Sequence, residues 1–234
     1  DDCDKTCYSL GFGSIYPDIF QRAAIKDHVK LQLCLFSIQY ASAKSWIDCG
    51  VHPSALVGHS FGELTALCVS EALSLEDTVK MIAGRAKIVR DQWGPEKGAM
   101  MAVEAELDQV TEVIQSGDSM SIACYNGPRS FTIAGTAQAI DDAAQLISSN
   151  AKFSSMRAKK LNVTNAFHST LVEGLKPSLE DMACDLQFKS PVIPVEFATE
   201  QESHRSLSPK FVADHMRNPV YFNHAVQRLS KKYP

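Results

Sequence analysis

Apolar and polar residues alternate with different periods along the chain. Over 25–46, Val29, Leu33, Phe36 and Tyr40 recur at helical spacing, and Cys49-Gly50 followed by Pro53 closes the run. Ala55-Leu56-Val57 is a short apolar run, the pattern of a buried parallel strand. Helical patterning resumes over 62–72. Another helix starts after Ser74, a capping residue with Asp77 three positions on, and turns Val79, Ile82, Ala83, Ala86 and Val89 to one side. The rhythm changes after Gly94-Pro95. GAMMAVEA reads as strand, LDQVTEVIQ as helix, SIACYN and SFTIAGT as strands, AIDDAAQLISS as helix and AKKLNVT as strand. That βαββαβ order predicts a ferredoxin-like subdomain over 98–163. It would interrupt a larger α/β unit built from 1–97 and 164–234. The larger unit resumes with a helix after His168, the run VIPVEFAT, and a last helix after Pro219.

Gly58-His59-Ser60-Phe61-Gly62 matches G-x-S-x-G between a predicted strand and a predicted helix. This is the setting of a nucleophile elbow, and it predicts a hydrolase-like core with a parallel sheet. The turn would lift the Ser60 hydroxyl off the strand end and aim the Phe61 amide at a developing oxyanion. A serine alcohol needs a base. Of the seven histidines, His59 shares the turn, and His28, His52, His204, His215 and His224 stand in polar or amphipathic surroundings expected at the surface. His168, in Asn165-Ala166-Phe167-His168-Ser169, lies where the inserted unit returns to the larger one. On position alone it is open to a structural or a catalytic role.

Composition narrows the options. With 234 residues and 45% hydrophobic positions the chain can build one large core, or a core and a small subdomain. A net charge of -4 gives no basic footprint for nucleic acid. Seven cysteines without a CxxC pair, with Cys34 and Cys68 inside apolar runs, suit a reducing, cytoplasmic setting. Cys3 and Cys7 lack the companions of a four-ligand metal site, so no metal is expected. No run is long enough to span a bilayer, and no signal peptide opens the chain. The beginning DDCDKTCYSL and the end RLSKKYP read as interior stretches of a longer protein.

GHSFGELTALCVSEALSLEDTVKMIAGRA, EKGAMMAVEA, CYNGPRSFTIAGT, LNVTNAFHS and MRNPVYF, in that order, resemble the malonyl-CoA:acyl-carrier-protein transacylase family. More narrowly they are similar to the acyltransferase domain of fungal iterative polyketide synthases of the non-reducing branch. The resemblance implies that Ser60 carries malonyl as an ester and that His168 is its base. It implies that the Asn218 backbone carbonyl orients His168 through Nδ1–H, without a triad aspartate. Arg85 matches the arginine that grips the free malonyl carboxylate, a task suited to a planar guanidinium. Phe167 matches a position tied to extender choice, and Asn126 matches an element without an assigned role. The implied partners are malonyl-CoA, an acyl carrier protein and neighbouring synthase domains, with no membrane and no nucleic acid. No cofactor is expected in the domain, since phosphopantetheine arrives on coenzyme A and on the carrier. The family's Gly-Gln-Gly loop has no counterpart here; Gln21, Gln32 and Gln39 stand in other contexts. Two other readings stay open. A serine hydrolase or thioesterase would need an acid such as Glu104, Asp141 or Asp142. A starter-unit acyltransferase would have no use for Arg85.

Overall fold

The computed structural model describes residues 1–202 and 206–233. It opens with helix α1 (Asp2–Ser9) and the long helix α2 (His28–Asp48). Helix α2 begins three residues later than its apolar period suggests, because Asp27 caps it by accepting the Lys30 N–H. Strand β1 (Leu56–Val57) then runs into helix α3 (Phe61–Val69), followed by helix α4 (Leu75–Gln92). The Ser74 hydroxyl accepts the Asp77 N–H at 3.0 Å, as expected of that cap.

Residues 99–160 supply strand β2 (Ala99–Glu104), helix α5 (Leu107–Gln115), strands β3 (Met120–Gly127) and β4 (Ser130–Gly135), helix α6 (Ala137–Ser149) and strand β5 (Arg157–Lys160). They form a four-stranded antiparallel sheet in the order β3-β4-β2-β5. Strand β5 is shorter than its sequence pattern. Leu161 N–H still bonds the Met100 carbonyl, and the chain then leaves the sheet edge and sends Asn162 and Thr164 to the cavity described below. Helix α7 (Lys176–Met182), strand β6 (Val195–Glu196), helix α8 (Pro209–Arg217) and helix α9 (Phe222–Lys232) complete the chain. Among the described residues the parallel strands are β1 and β6, paired at Leu56–Val195 and Val57–Glu196, and an isolated parallel bridge joins Cys124 to Val220.

One core joins α1, α2, α3 and α4 through Cys7, Leu33, Phe36, Leu64, Leu67, Met81 and Ile82. A second lies under the antiparallel sheet, where Met101, Ile133, Val110 and Ile140 meet. Each large apolar side chain removed from water there is worth about 1.5–3 kcal/mol. A smaller cluster of Met100, Ala123, Cys124, Ala166 and Val220 binds the sheet to the rest. Across this seam Tyr125 N–H bonds the Val220 carbonyl and Val220 N–H bonds the Ala123 carbonyl. No helix among the described residues is long and apolar enough to cross a membrane.

Candidate active site

Strand β1 turns into α3 over three residues, Gly58 to Ser60, and the turn is tight. A Cβ on Gly58 would lie 2.1 Å from the Glu63 nitrogen and the Gly62 carbonyl carbon, so only glycine fits. A Cβ on Gly62 meets nothing within 4 Å, so the second glycine of the motif answers no steric demand of this kind. Ser60 sits at φ 49° and ψ −113°, a conformation that costs an L-residue of order 1–3 kcal/mol and persists only where its surroundings enforce it. Phe61 is the first residue of α3, so its N–H has no partner within the helix and is open to an anion.

Ser60 Oγ lies 2.7 Å from His168 Nε2, and His168 Nδ1 lies 2.9 Å from the Asn218 carbonyl oxygen. A carbonyl only accepts, so Nδ1 carries the proton and Nε2 presents its lone pair to the Ser60 hydroxyl. His168 also has a positive φ, 58°, and its backbone N–H donates to the Met216 carbonyl. Asn218 caps the C-terminus of α8, so one helix end holds the His168 ring through the Asn218 carbonyl and its backbone through the Met216 carbonyl. Burial pulls the His168 pKa down to about 4; the Asn218 hydrogen bond opposes this, and the nearby Arg85 guanidinium and His59 ring add to it.

The pair opens onto a cavity of about 370 Å³ that Phe61, Arg85, Phe167 and Gln32 also line. Phe167 forms one wall and is held edge-on by Trp93, with ring centroids 5.3 Å apart. Arg85, on α4, is half-buried, yet loss of water around its guanidinium pulls its pKa down to about 10, partly offset by the negative charge of Glu63. Its Nη1 donates to His215 Nδ1 at 3.1 Å. Among the described residues no carboxylate forms an ion pair with Arg85, which leaves a half-buried cation facing the cavity with most of its donors unused.

His215 departs from its expected surface position. It is 6% exposed because α8 turns Phe211, Val212, His215 and Met216 inward. His28 is half-buried at the cavity, His52 is exposed, His224 packs on Tyr221, and His204 lies outside the described residues. His59 points its Nε2 at Asn126 Oδ1, 2.7 Å away, rather than at the Ser60 hydroxyl. The cavity also draws in Gln32, whose place in the second turn of α2 gave no hint of it. Gln39 instead accepts from the Thr65 hydroxyl. None of the acids a hydrolase would need reaches His168. Glu104 faces Arg157, Asp141 pairs with Lys160, and Asp142 accepts from Gln138.

Residues 18–234 match the family described as acyl transferase domain. The chain is 59% identical over its whole length to the non-reducing polyketide synthase pigA of Monascus ruber, and 53% identical over its whole length to the clavatol synthase claF of Penicillium crustosum. It spans only 9% of the length of each. Among solved structures, the acyltransferase domain from module 8 of the salinomycin polyketide synthase superposes with a TM-score of 0.86 at 28% identity, over 99% of this chain and 55% of that one. The malonyl CoA-acyl carrier protein transacylase of Coxiella burnetii shares the fold at a TM-score of 0.86 and 20% identity, over 99% of this chain and 75% of that one. With a hydroxyl-imidazole pair at its elbow and a match over almost its whole length, the chain belongs to the acyl transferase domain family.

Proposed function

We propose that this domain moves malonyl from coenzyme A to the phosphopantetheine thiol of an acyl carrier protein by way of a Ser60 ester. His168 Nε2 takes the Ser60 proton as Oγ attacks the thioester carbonyl. The Phe61 N–H stabilises the oxyanion. As the tetrahedral intermediate collapses, the C–S bond breaks and His168 returns the proton to the departing coenzyme A sulfur. The carrier thiol then attacks the ester, His168 takes its proton, and the same proton restores the Ser60 hydroxyl. A base kept neutral by burial is ready for this at neutral pH. Phe167 would crowd a substituent on the malonyl α-carbon.

The observation that carries the reading is Arg85, a charged guanidinium beside the Ser60–His168 pair that pairs with no carboxylate among the described residues. A free acyl carboxylate satisfies it; a neutral acyl group leaves it unpaired. That argues against a hydrolase of neutral esters and against a neutral starter unit. In this reading 98–163 is a ferredoxin-like insert, supported by the β3-β4-β2-β5 order, and 1–97 with 164–234 is a hydrolase-like unit. The neighbouring synthase domains and a cytoplasmic setting belong to the same proposal, and the domain needs no cofactor of its own.

The test is direct. Labelled malonyl-CoA should leave its acyl group on Ser60 in peptide maps, and Ser60→Ala should carry none. Arg85→Ala should lower the ratio of kcat/KM for malonyl-CoA over acetyl-CoA by about ten- to a hundredfold, the worth of one charge-assisted hydrogen bond. Label elsewhere, or an unchanged ratio, overturns the reading.

A further inference from the structure

His215 joins two parts of the site that the sequence keeps far apart. Its Nδ1 accepts from Arg85 Nη1 at 3.1 Å, and its Nε2 lies 3.0 Å from the Ser60 carbonyl oxygen. Arginine only donates and a carbonyl only accepts, so both neighbours require the same neutral Nε2–H tautomer. The Ser60 carbonyl also accepts the Glu63 N–H at 2.8 Å, so two donors hold the strained residue from its backbone side. The ring lies between Phe211 and His168, with centroids 5.8 and 6.2 Å away, and Glu63 Oε1 is 3.9 Å from Nε2. Glu63 is itself engaged by the Ala198 N–H.

We infer that His215 is a positioning residue, which fixes the Arg85 guanidinium and the Ser60 elbow in one relative orientation through one acceptor and one donor. The inference deepens the malonyl reading and rests on it for the meaning of Arg85. Arginine carries considerable rotamer freedom on a long stem. Tying one N–H to His215 leaves the other face of the fork for a carboxylate. The acyl group then meets its charge contact and its nucleophile at a set spacing, and orientation of that kind lowers the barrier to attack.

Two substitutions and one spectrum test this in the full chain. His215→Leu fills much of the volume but supplies neither bond. It should raise KM for malonyl-CoA and lower the malonyl-to-acetyl kcat/KM ratio by about tenfold, the order expected when one charge-assisted contact is misdirected. It should also slow acetyl loading, through the elbow. His215→Gln offers an amide oxygen to Arg85 and an amide N–H to Ser60, and should restore most of both losses. A role in packing alone predicts the reverse, with lowered stability, an unchanged ratio and no rescue by glutamine. Independently of any variant, nitrogen-15 NMR of labelled histidine at neutral pH should report a protonated Nε2 and a bare Nδ1 at His215. An unchanged ratio in His215→Leu, failure of His215→Gln to rescue, or an Nδ1–H tautomer overturns the inference. The two readings fail separately. If Arg85→Ala lowers the ratio and His215→Leu does not, only the positioning role falls. If Arg85→Ala leaves it unchanged, the malonyl reading falls, whatever the tautomer of His215.

Discussion

Burial, rather than a neighbouring charge, dominates the titration of His168, and this has two measurable results. A solvated histidine titrates near 6.5. With a folded pKa of about 4, the unfolded chain binds a proton between these values and the folded chain does not. Stability is therefore lost as pH falls through that window, by about 3 kcal/mol at full titration. Denaturant unfolding at a series of pH values should show a shallower acid slope in His168→Gln than in the parent. Loading of Ser60 should keep its rate down to about pH 5 and fall nearer 4; a midpoint near 6.5 would mean that the base is solvated. Ser60 was legible in the chain from its elbow motif, whereas His168 stayed open on position alone and was singled out only by the family resemblance of its AFHS element. His215 was not legible. Nothing in ADHMRN announces that one imidazole will meet Arg85 and Ser60, because that meeting depends on how α8 packs.

Local rules served well where an element carries its own start and stop. Helix α4 begins at its Ser74 cap, and the alternation of strands and helices over 99–160 follows the apolar rhythm closely. Helix α1 escaped notice because only Cys3 and Cys7, one turn apart, are buried in an otherwise polar stretch. Helix α8 also escaped, although Pro209 at its start and the spacing of Phe211, Val212, His215 and Met216 were signals. The elbow gives a prediction at this scale. Gly58→Ala forces a Cβ into the backbone of α3 and should cost about 3 kcal/mol or more in urea unfolding. Gly62→Ala, within α3 and facing open space, should be neutral or stabilise by up to about 1 kcal/mol. Equal costs at the two positions would mean that the motif's glycines serve some other end.

At the scale of the molecule the reacting pair is assembled from two separately packed bodies. Ser60 rides on the helical core and His168 on the chain returning from the antiparallel sheet. The parallel sheet implied by the elbow motif amounts, among the described residues, to two residues in each of two strands. Pairing partners far apart in sequence are not encoded in a local period, so that extent was not readable. Gly98, at φ 70°, sits at the joint. A Cβ there would come within 2.5 Å of Ala166 Cβ and Leu171 Cδ1, on either side of His168. Gly98→Ala should displace that loop and slow loading by up to about a hundredfold, the effect of a misplacement near 1 Å. Burst kinetics beside a thermal melt would check this, and normal loading would show that the joint yields without moving the base.

The acceptor behind the base is a main-chain oxygen at Asn218, in a conformation open to most residues. Any amino acid placed there brings the same oxygen, so the alphabet at 218 holds no memory of the service the position performs. Carboxylate-backed histidines leave a letter that drift cannot change without cost. In this domain the corresponding information is stored in the path of the chain, in how α8 ends and where it points, and a scan of side chains passes over it in silence.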